Sequence, residues 1–296
     1  MNLAPNSVLY CLSSLLYLAI AAHAWWQQRR APVQGVAQAA AQASGQVAAP
    51  WSPQFERAGL LVALALHGVL LYQTMFADHL LHFGFAYALS VMLWLGVLLY
   101  WLESWAVHMP ALPLLLLPLA GVAVLLPWVF PGSAGFVATS SAWGFRLHLL
   151  AAMVAYSLLT IAALHAVLMT AQERRLHAAP QARAGVWARL LEGLPPLLTM
   201  EKMLFRMLTL GFVLLTLTLL SGVVFAEALW QRAFRVDHKT VFAVLSWLLF
   251  GALLAGRWWY GWRGRMALRW TLAGFAALML AYVGSRFVLE VILHRI

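Results

Sequence analysis

Ten histidines punctuate a chain of 296 residues that is otherwise poor in groups able to do chemistry. An imidazole can carry a proton, bind a metal ion or coordinate haem iron. The segment WGFRLHLLAAMVAYSLLTIAALHAVLM, Trp143 to Met169, holds two of them, His148 near its start and His165 near its end. On one helix they stand about 25 Å apart, at a rise of roughly 1.5 Å per residue, so they cannot ligate the same ion or iron. His67 falls near the middle of another apolar run, where a polar side chain must find a partner inside the protein. An interhelical hydrogen bond and a cofactor or relay role both remain open for it. For a histidine at the end of an apolar run, a hydrated tip over a packed ring is the commoner role and a ligand the rarer one.

Two other groups carry polar chemistry. The stretch AEALWQRAFRVDHKT, Ala226–Thr240, gathers Trp230, Arg232, Phe234, Arg235, Asp237, His238 and Lys239. Aromatic faces among cations suit a flat apolar ring bearing carboxylates. An interfacial aromatic belt with solvated loop charges accounts for the same composition. Arg286 and Glu290, four apart, are spaced to pair along a helix. Cys11, the single cysteine, excludes an intramolecular disulfide and a CxxC relay. No P-loop, GxSxG elbow, HExxH site or EF-hand occurs, and a non-enzymatic role is the expectation.

The elements that position these residues belong in lipid. The chain is 64% hydrophobic and 9% charged, with a mean hydropathy of +0.83, whereas a soluble domain carries about a quarter charged residues. Its net charge of +10 therefore reads as membrane topology rather than as a nucleic-acid surface. About 20 mostly apolar residues cross the hydrocarbon core. Eight runs qualify: Ser7–Trp26, Gly59–Phe76, Phe83–Leu102, Ala111–Phe130, Phe145–Thr170, Met203–Leu229, Val241–Tyr260 and Ala267–Leu289. The fold class is all-α, a polytopic integral membrane protein with about eight transmembrane helices. Pro113, Pro118 and Pro127 make the fourth run the least regular, although neighbouring helices can re-satisfy the backbone groups they free.

The first run lacks a basic segment before it and is followed by Arg29 and Arg30, the pattern of a retained helix with its N-terminus outside. With that orientation the inner side holds Arg29, Arg30, Arg57, Arg174, Arg175, Arg183, Arg189, Lys202, Arg206, Arg257, Arg263, Arg265 and Arg269. The outer side holds only Arg146, Arg232, Arg235, Lys239, Arg286 and Arg295. The excess of cations inside predicts that both termini are periplasmic. The organisation expected is a first helix over 1–26, a flexible cytoplasmic linker over 27–56, helices two to four over 57–142, and a second half over 143–296 with its own cytoplasmic linker at 171–202. In that second linker, VWARLLEGLPPLL is expected to form an interfacial amphipathic helix ended by Pro195 and Pro196.

Four stretches of the second half resemble one family. LHLLAAMVAYSLLTIAALHAVL (Leu147–Leu168) is similar to a helix that opens on an external histidine and runs through an Ala-Tyr pair. LPPLLTMEKMLFRMLTLGFVLLTLTLLSGVVF (Leu194–Phe225) is similar to a linker and span ending in a Ser-Gly step. VDHKTVFAVLSWLLFGALLAGRWWYGWRGR (Val236–Arg265) carries an Asp-x-Lys start, a Ser-Trp span and a Gly-Trp-Arg-Gly turn. AGFAALMLAYVGSRFVLEVILH (Ala273–His294) is similar to a final span. Together they resemble the cytochrome c assembly family of polytopic inner-membrane proteins, the CcsA/ResC and CcmC group.

In that family two external histidines flank a tryptophan-rich loop and hold haem between them. The resemblance implies a haem cofactor, with His148 in the place of the first histidine and His294 in that of the second. Arg146 and Lys239 would lie beside it. Of the family's WGxxWxWD-type loop motif, Trp230, Asp237 and Lys239 are the residues that correspond. The implied partners are the lipid bilayer and other cytochrome c or haem-biosynthesis proteins, with no nucleic acid. A second expectation keeps the fold but not the cofactor: a HemX-like membrane regulator or assembly scaffold, acting through protein contacts. A transporter has little support, because the runs lack a charged intramembrane pathway.

Overall fold

The computed structural model describes residues 4–30, 53–75, 81–82, 84–106, 109–131, 134–136, 143–177, 191, 194–230 and 238–293. Within them, eight helices are long and apolar enough to cross a membrane. They are α1 (Ala4–Arg30), α2 (Pro53–Met75), α3 (Phe85–Glu103), α4 (Leu112–Val129), α5 (Trp143–His177), α6 (Leu197–Trp230), α7 (His238–Tyr260) and α8 (Gly264–Met279). The last continues as Leu280–Gly284 and Val288–Ile292, two π-helical turns on either side of Ser285–Phe287. A short antiparallel ribbon, β1 (Leu81–His82) with β2 (Ala134–Phe136), is the one departure from all-α architecture among the described residues.

Consecutive helices run in opposite directions, so their ends collect into two layers. At one layer Phe85 of α3 meets Phe130 just past α4 and Phe287 beyond α8, with ring centroids 5.2 and 5.3 Å away. At the other, Arg57 of α2 donates to the Ser104 carbonyl after α3 at 2.7 Å, and Arg265 of α8 pairs with Glu173 of α5 at 2.7 Å. The helices outrun the apolar stretches that predict them. α2 starts at Pro53, α5 reaches His177 and α6 starts at Leu197, each taking up residues expected in linkers. The rest of the two linkers, including most of VWARLLEGLPPLL, lies outside the described residues.

α4 is a continuous helix despite its prolines. Pro113 occupies the first turn, where a missing N–H costs nothing, and Pro118 and Pro127 lie inside. α3 and α5 are the central helices, with 61% of their apolar windows buried against 17% for α6 and 22% for α7 and α8. Leu116, Leu117, Leu159, Ile161, Leu204 and Phe250 lie fully buried in the main core between them. Lipid supplies no hydrophobic drive between spans, so close packing and polar side chains must hold them. Such ties recur here. Ser14 of α1 donates to the Gly121 carbonyl of α4 (2.8 Å) and Trp94 of α3 to that of Leu64 of α2 (2.8 Å), while the Ser157 hydroxyl of α5 is shared between the Met153 carbonyl of its own helix (2.7 Å) and that of Met92 of α3 (2.9 Å). Ser246 of α7 reaches the Gly274 carbonyl of α8 (2.9 Å), and Trp247 of α7 donates to the Thr216 hydroxyl of α6 (2.9 Å).

Candidate functional site

The described histidines sort by their partners. His67 of α2 is fully buried between Tyr17 of α1 and Ser90 of α3, its Nδ1 3.3 Å from the tyrosine hydroxyl and its Nε2 2.9 Å from the serine hydroxyl. Both ring nitrogens therefore serve an interhelical joint. His165 is also fully buried. Its Nδ1 lies 2.9 Å from the Ile161 carbonyl one turn back, and its Nε2 3.0 Å from the Met109 sulfur. It is a packing residue inside the bundle, not the hydrated-tip histidine that its place near the end of the apolar run suggests.

His148 sits in the second turn of α5, half-buried against α6. Its Nδ1 is 2.8 Å from the Ser221 hydroxyl, and its Cε1 passes beside Gly222. The Phe145 ring lies nearly parallel to the imidazole, with centroids 6.3 Å apart. In the Ser-Gly step the serine supplies the polar contact to the ring. An alanine methyl at 222 would already touch Cε1 at 3.5 Å.

Around this histidine the bundle end gathers cations. Lys239, in the first turn of α7, is close enough for its charge to act on the His148 ring, and its Nζ lies 5.2 Å from the centre of the Tyr282 ring. Tyr282 belongs to the first π-turn of α8, and Arg286, four residues on, is close enough for its charge to act on the Tyr282 hydroxyl. Arg286 faces Glu290 at 3.8 Å, the pairing along one helix that their spacing predicts. Glu290 in turn accepts a hydrogen bond from the Phe85 backbone N–H of α3 at 3.3 Å. Gly84 permits that approach, since a Cβ there would stand 2.8 Å from the carboxylate. The widened backbone of a π-turn often marks a functional site, and here the turn that carries Tyr282 brings its ring beside Lys239.

The residues expected from sequence are distributed unevenly over this site. His148 and Lys239 come together. Arg146, two positions before His148, stands on an exposed face of α5, because residues two apart on a helix do not share a face. Trp230 ends α6 and Asp237 precedes α7, but the Trp230 side chain, Asp237 and His294 lie outside the described residues. Ser221, Tyr282 and Arg286 are the additions. The Ser-Gly step and the Arg286–Glu290 spacing were visible in the sequence, whereas their convergence on His148 needs the antiparallel packing of α5, α6 and α8. No cluster of three or more His, Cys, Asp or Glu side chains able to hold a bare metal ion occurs among the described residues. The donor set suits haem better, since a single imidazole could hold its iron and the nearby cations could meet its carboxylates.

A helical bundle of eight membrane spans, with an imidazole and a group of cations at one end, defines a multi-pass inner-membrane protein equipped at the level of the bilayer surface. The chain belongs to the cytochrome C assembly protein family, whose model matches residues 56–293. That match takes in α2 to α4 as well as the four stretches of the second half. The chain is 33% identical over 149 residues to the inner membrane protein YpjD of Escherichia coli K12, covering 50% of this chain and 53% of that one. An uncharacterized 28.8 kDa protein of Azospirillum brasilense is 33% identical over 147 residues, 50% of this chain and 52% of its own. The cytochrome c biogenesis protein CcsA of Prochlorococcus marinus MIT 9301 is 36% identical over 88 residues, 30% of this chain and 28% of its own. The chain thus spans about half the length of the first two relatives and under a third of the last. No solved structure matches.

Proposed function

We propose that this protein binds or handles haem at the outer face of the inner membrane as part of cytochrome c biogenesis, without itself being an enzyme. The observation that carries the reading is His148, held between Ser221 and Phe145 at the bundle end where Lys239 and Arg286 also lie. Family membership and the likeness to a protein named for cytochrome c biogenesis support it.

When bound, haem would supply an iron centre for ligation or transfer. The chain's own residues would bind and orient it. His148 and His294 would be the imidazoles that hold it, and Lys239 and Arg286, with Arg146 on the neighbouring face of α5, would be the cations that meet its carboxylates. Trp230 and Asp237, flanking the loop between α6 and α7, are the counterparts of the family's haem-presenting motif. Partners would be other cytochrome c or haem-biosynthesis proteins. Absorption spectroscopy of detergent-purified protein tests the reading directly. A Soret band should appear and should weaken in His148→Ala, while colourless protein that ignores added hemin would sink it.

A second reading rests on one observation. Trp230, Asp237 and Lys239 are all that corresponds to the tryptophan-rich motif, which fits a HemX-like regulator or assembly scaffold that keeps the fold and acts through protein contacts. Crosslinking in native membranes should then recover a stable protein partner from cells in which the purified chain carries no haem.

A further inference from the structure

His148 does not merely lie near Ser221; the direction of their hydrogen bond can be worked out. A serine hydroxyl has one proton and two lone pairs. Ser221 sits inside α6, where its Oγ is 2.7 Å from the Leu217 carbonyl one turn back and 3.2 Å from that of Thr218. A carbonyl only accepts, so the hydroxyl proton is committed to the α6 backbone. What Ser221 presents across the helix interface, 2.8 Å from His148 Nδ1, is a lone pair. Nδ1 must then be the protonated nitrogen of the neutral ring, and the lone pair of the imidazole sits on Nε2. Phe145 lies alongside the ring, nearly parallel to it.

A histidine that ligates a metal commonly donates its other ring N–H to an oxygen acceptor, which fixes the tautomer and ring plane and raises ligand basicity. We infer that Ser221 is the positioning residue of the haem site: by accepting the Nδ1–H of His148 it sets that ring to coordinate iron through Nε2. Ser221 touches the ring and not the iron, and its role rests on the haem reading above. The structural contribution of the same bond, a tie between α5 and α6, would persist without any cofactor, and the experiment must separate the two.

Histidine-labelled (15N) protein in detergent micelles, prepared without haem, reports the tautomer through its long-range proton–nitrogen correlations. The His148 signals are those missing from His148→Gln. They should show the Nδ1–H form in the wild type and in Ser221→Thr, whose hydroxyl can make both bonds, and should lose that preference in Ser221→Ala. Hemin titrated into the same preparations should bind about tenfold more weakly to Ser221→Ala, with a shifted Soret maximum, and normally to Ser221→Thr. An Nε2–H tautomer in the wild type overturns the inference even if Ser221→Ala fails to fold. So does a hemin affinity lost in Ser221→Ala and not restored by threonine, which is what a merely structural tie would give. If the tautomer is as stated but His148→Gln binds hemin like the wild type, the haem reading itself fails, and Ser221 positions nothing.

Discussion

At the scale of single residues, His67, His165 and His148 show how burial decides what an imidazole does. Far from water, an unpartnered ring would leave polar atoms without hydrogen bonds, so His67 spends both nitrogens on Tyr17 and Ser90 and His165 spends both on Ile161 and Met109. His148, at the bundle end, fixes Nδ1 on Ser221. Stability and cofactor binding should therefore separate between sites. His67→Leu removes a joint shared by α1, α2 and α3 and should cost about 1–2 kcal/mol, the upper part of the range for hydrogen bonds between spans. Thermal unfolding in detergent would show it as a lowered Tm. His148→Ala, at a half-buried position, should cost less than about 1 kcal/mol in the same measurement while removing most of the Soret absorbance. Equal losses of stability at the two positions would contradict this division.

At the scale of elements, the α7–α8 turn explains what the Gly-Trp-Arg-Gly signature is for. Gly261 and Gly264 have φ of +65° and +55°, the left-handed region that a side chain disfavours. Between them the chain folds back so far that Trp262 lies over Gly256, where an added Cβ would stand only 2.4 Å from the indole. Arg257 and Arg263 from either side of this turn then reach Glu201 of α6, at 2.7 and 2.9 Å, clasping the start of one span to the end of another. Glu201 is largely buried while the arginines are part-exposed, so Glu201→Ala should destabilise by roughly 1–3 kcal/mol. It should also open the turn to trypsin at Arg263 and Arg265, and an unchanged digestion pattern would count against the clasp. Gly256→Leu should expose the same sites by displacing Trp262. The glycines of this turn were legible because their spacing is local. The spans were legible too, since twenty apolar residues announce themselves. Helix ends were less so: Pro53–Glu56 and Ala171–His177 are polar enough to read as linker, yet hydrogen bonds carry each helix past the hydrocarbon edge. The π-turns at Leu280 and Val288 left no mark in composition, and the first of them packs against α3 and α7. Ser221 could be seen as half of a Ser-Gly step, but its partner lies 73 residues away in sequence.

At the scale of the whole molecule, the alternation of helices and the distribution of charge together make a statement that can be checked from outside the cell. The layer that holds His148, Lys239 and Arg286 also holds the starts of α1, α3, α5 and α7. The opposite layer holds the starts of the even-numbered helices, along with Arg57, Arg257, Arg263, Arg265 and both well-formed carboxylate clasps, Glu173 and Glu201. Cationic loops resist translocation, and among the described residues eleven lysines and arginines fall on that second side against three on the first. It should therefore be cytoplasmic, with the His148 layer outside. Alkaline phosphatase, active only after export, should be active when fused after Ile296 and inactive when fused after Ala106, in the turn between α3 and α4. A fluorescent protein that matures only in the cytoplasm should give the opposite pattern at the same two positions. The reverse result would put His148 on the cytoplasmic side. The outer-face reading would then fall, although the Ser221–His148 hydrogen bond would remain. A correct orientation joined to a colourless protein would instead favour the scaffold reading, since the bundle would then present its cationic corner to a protein rather than to a porphyrin.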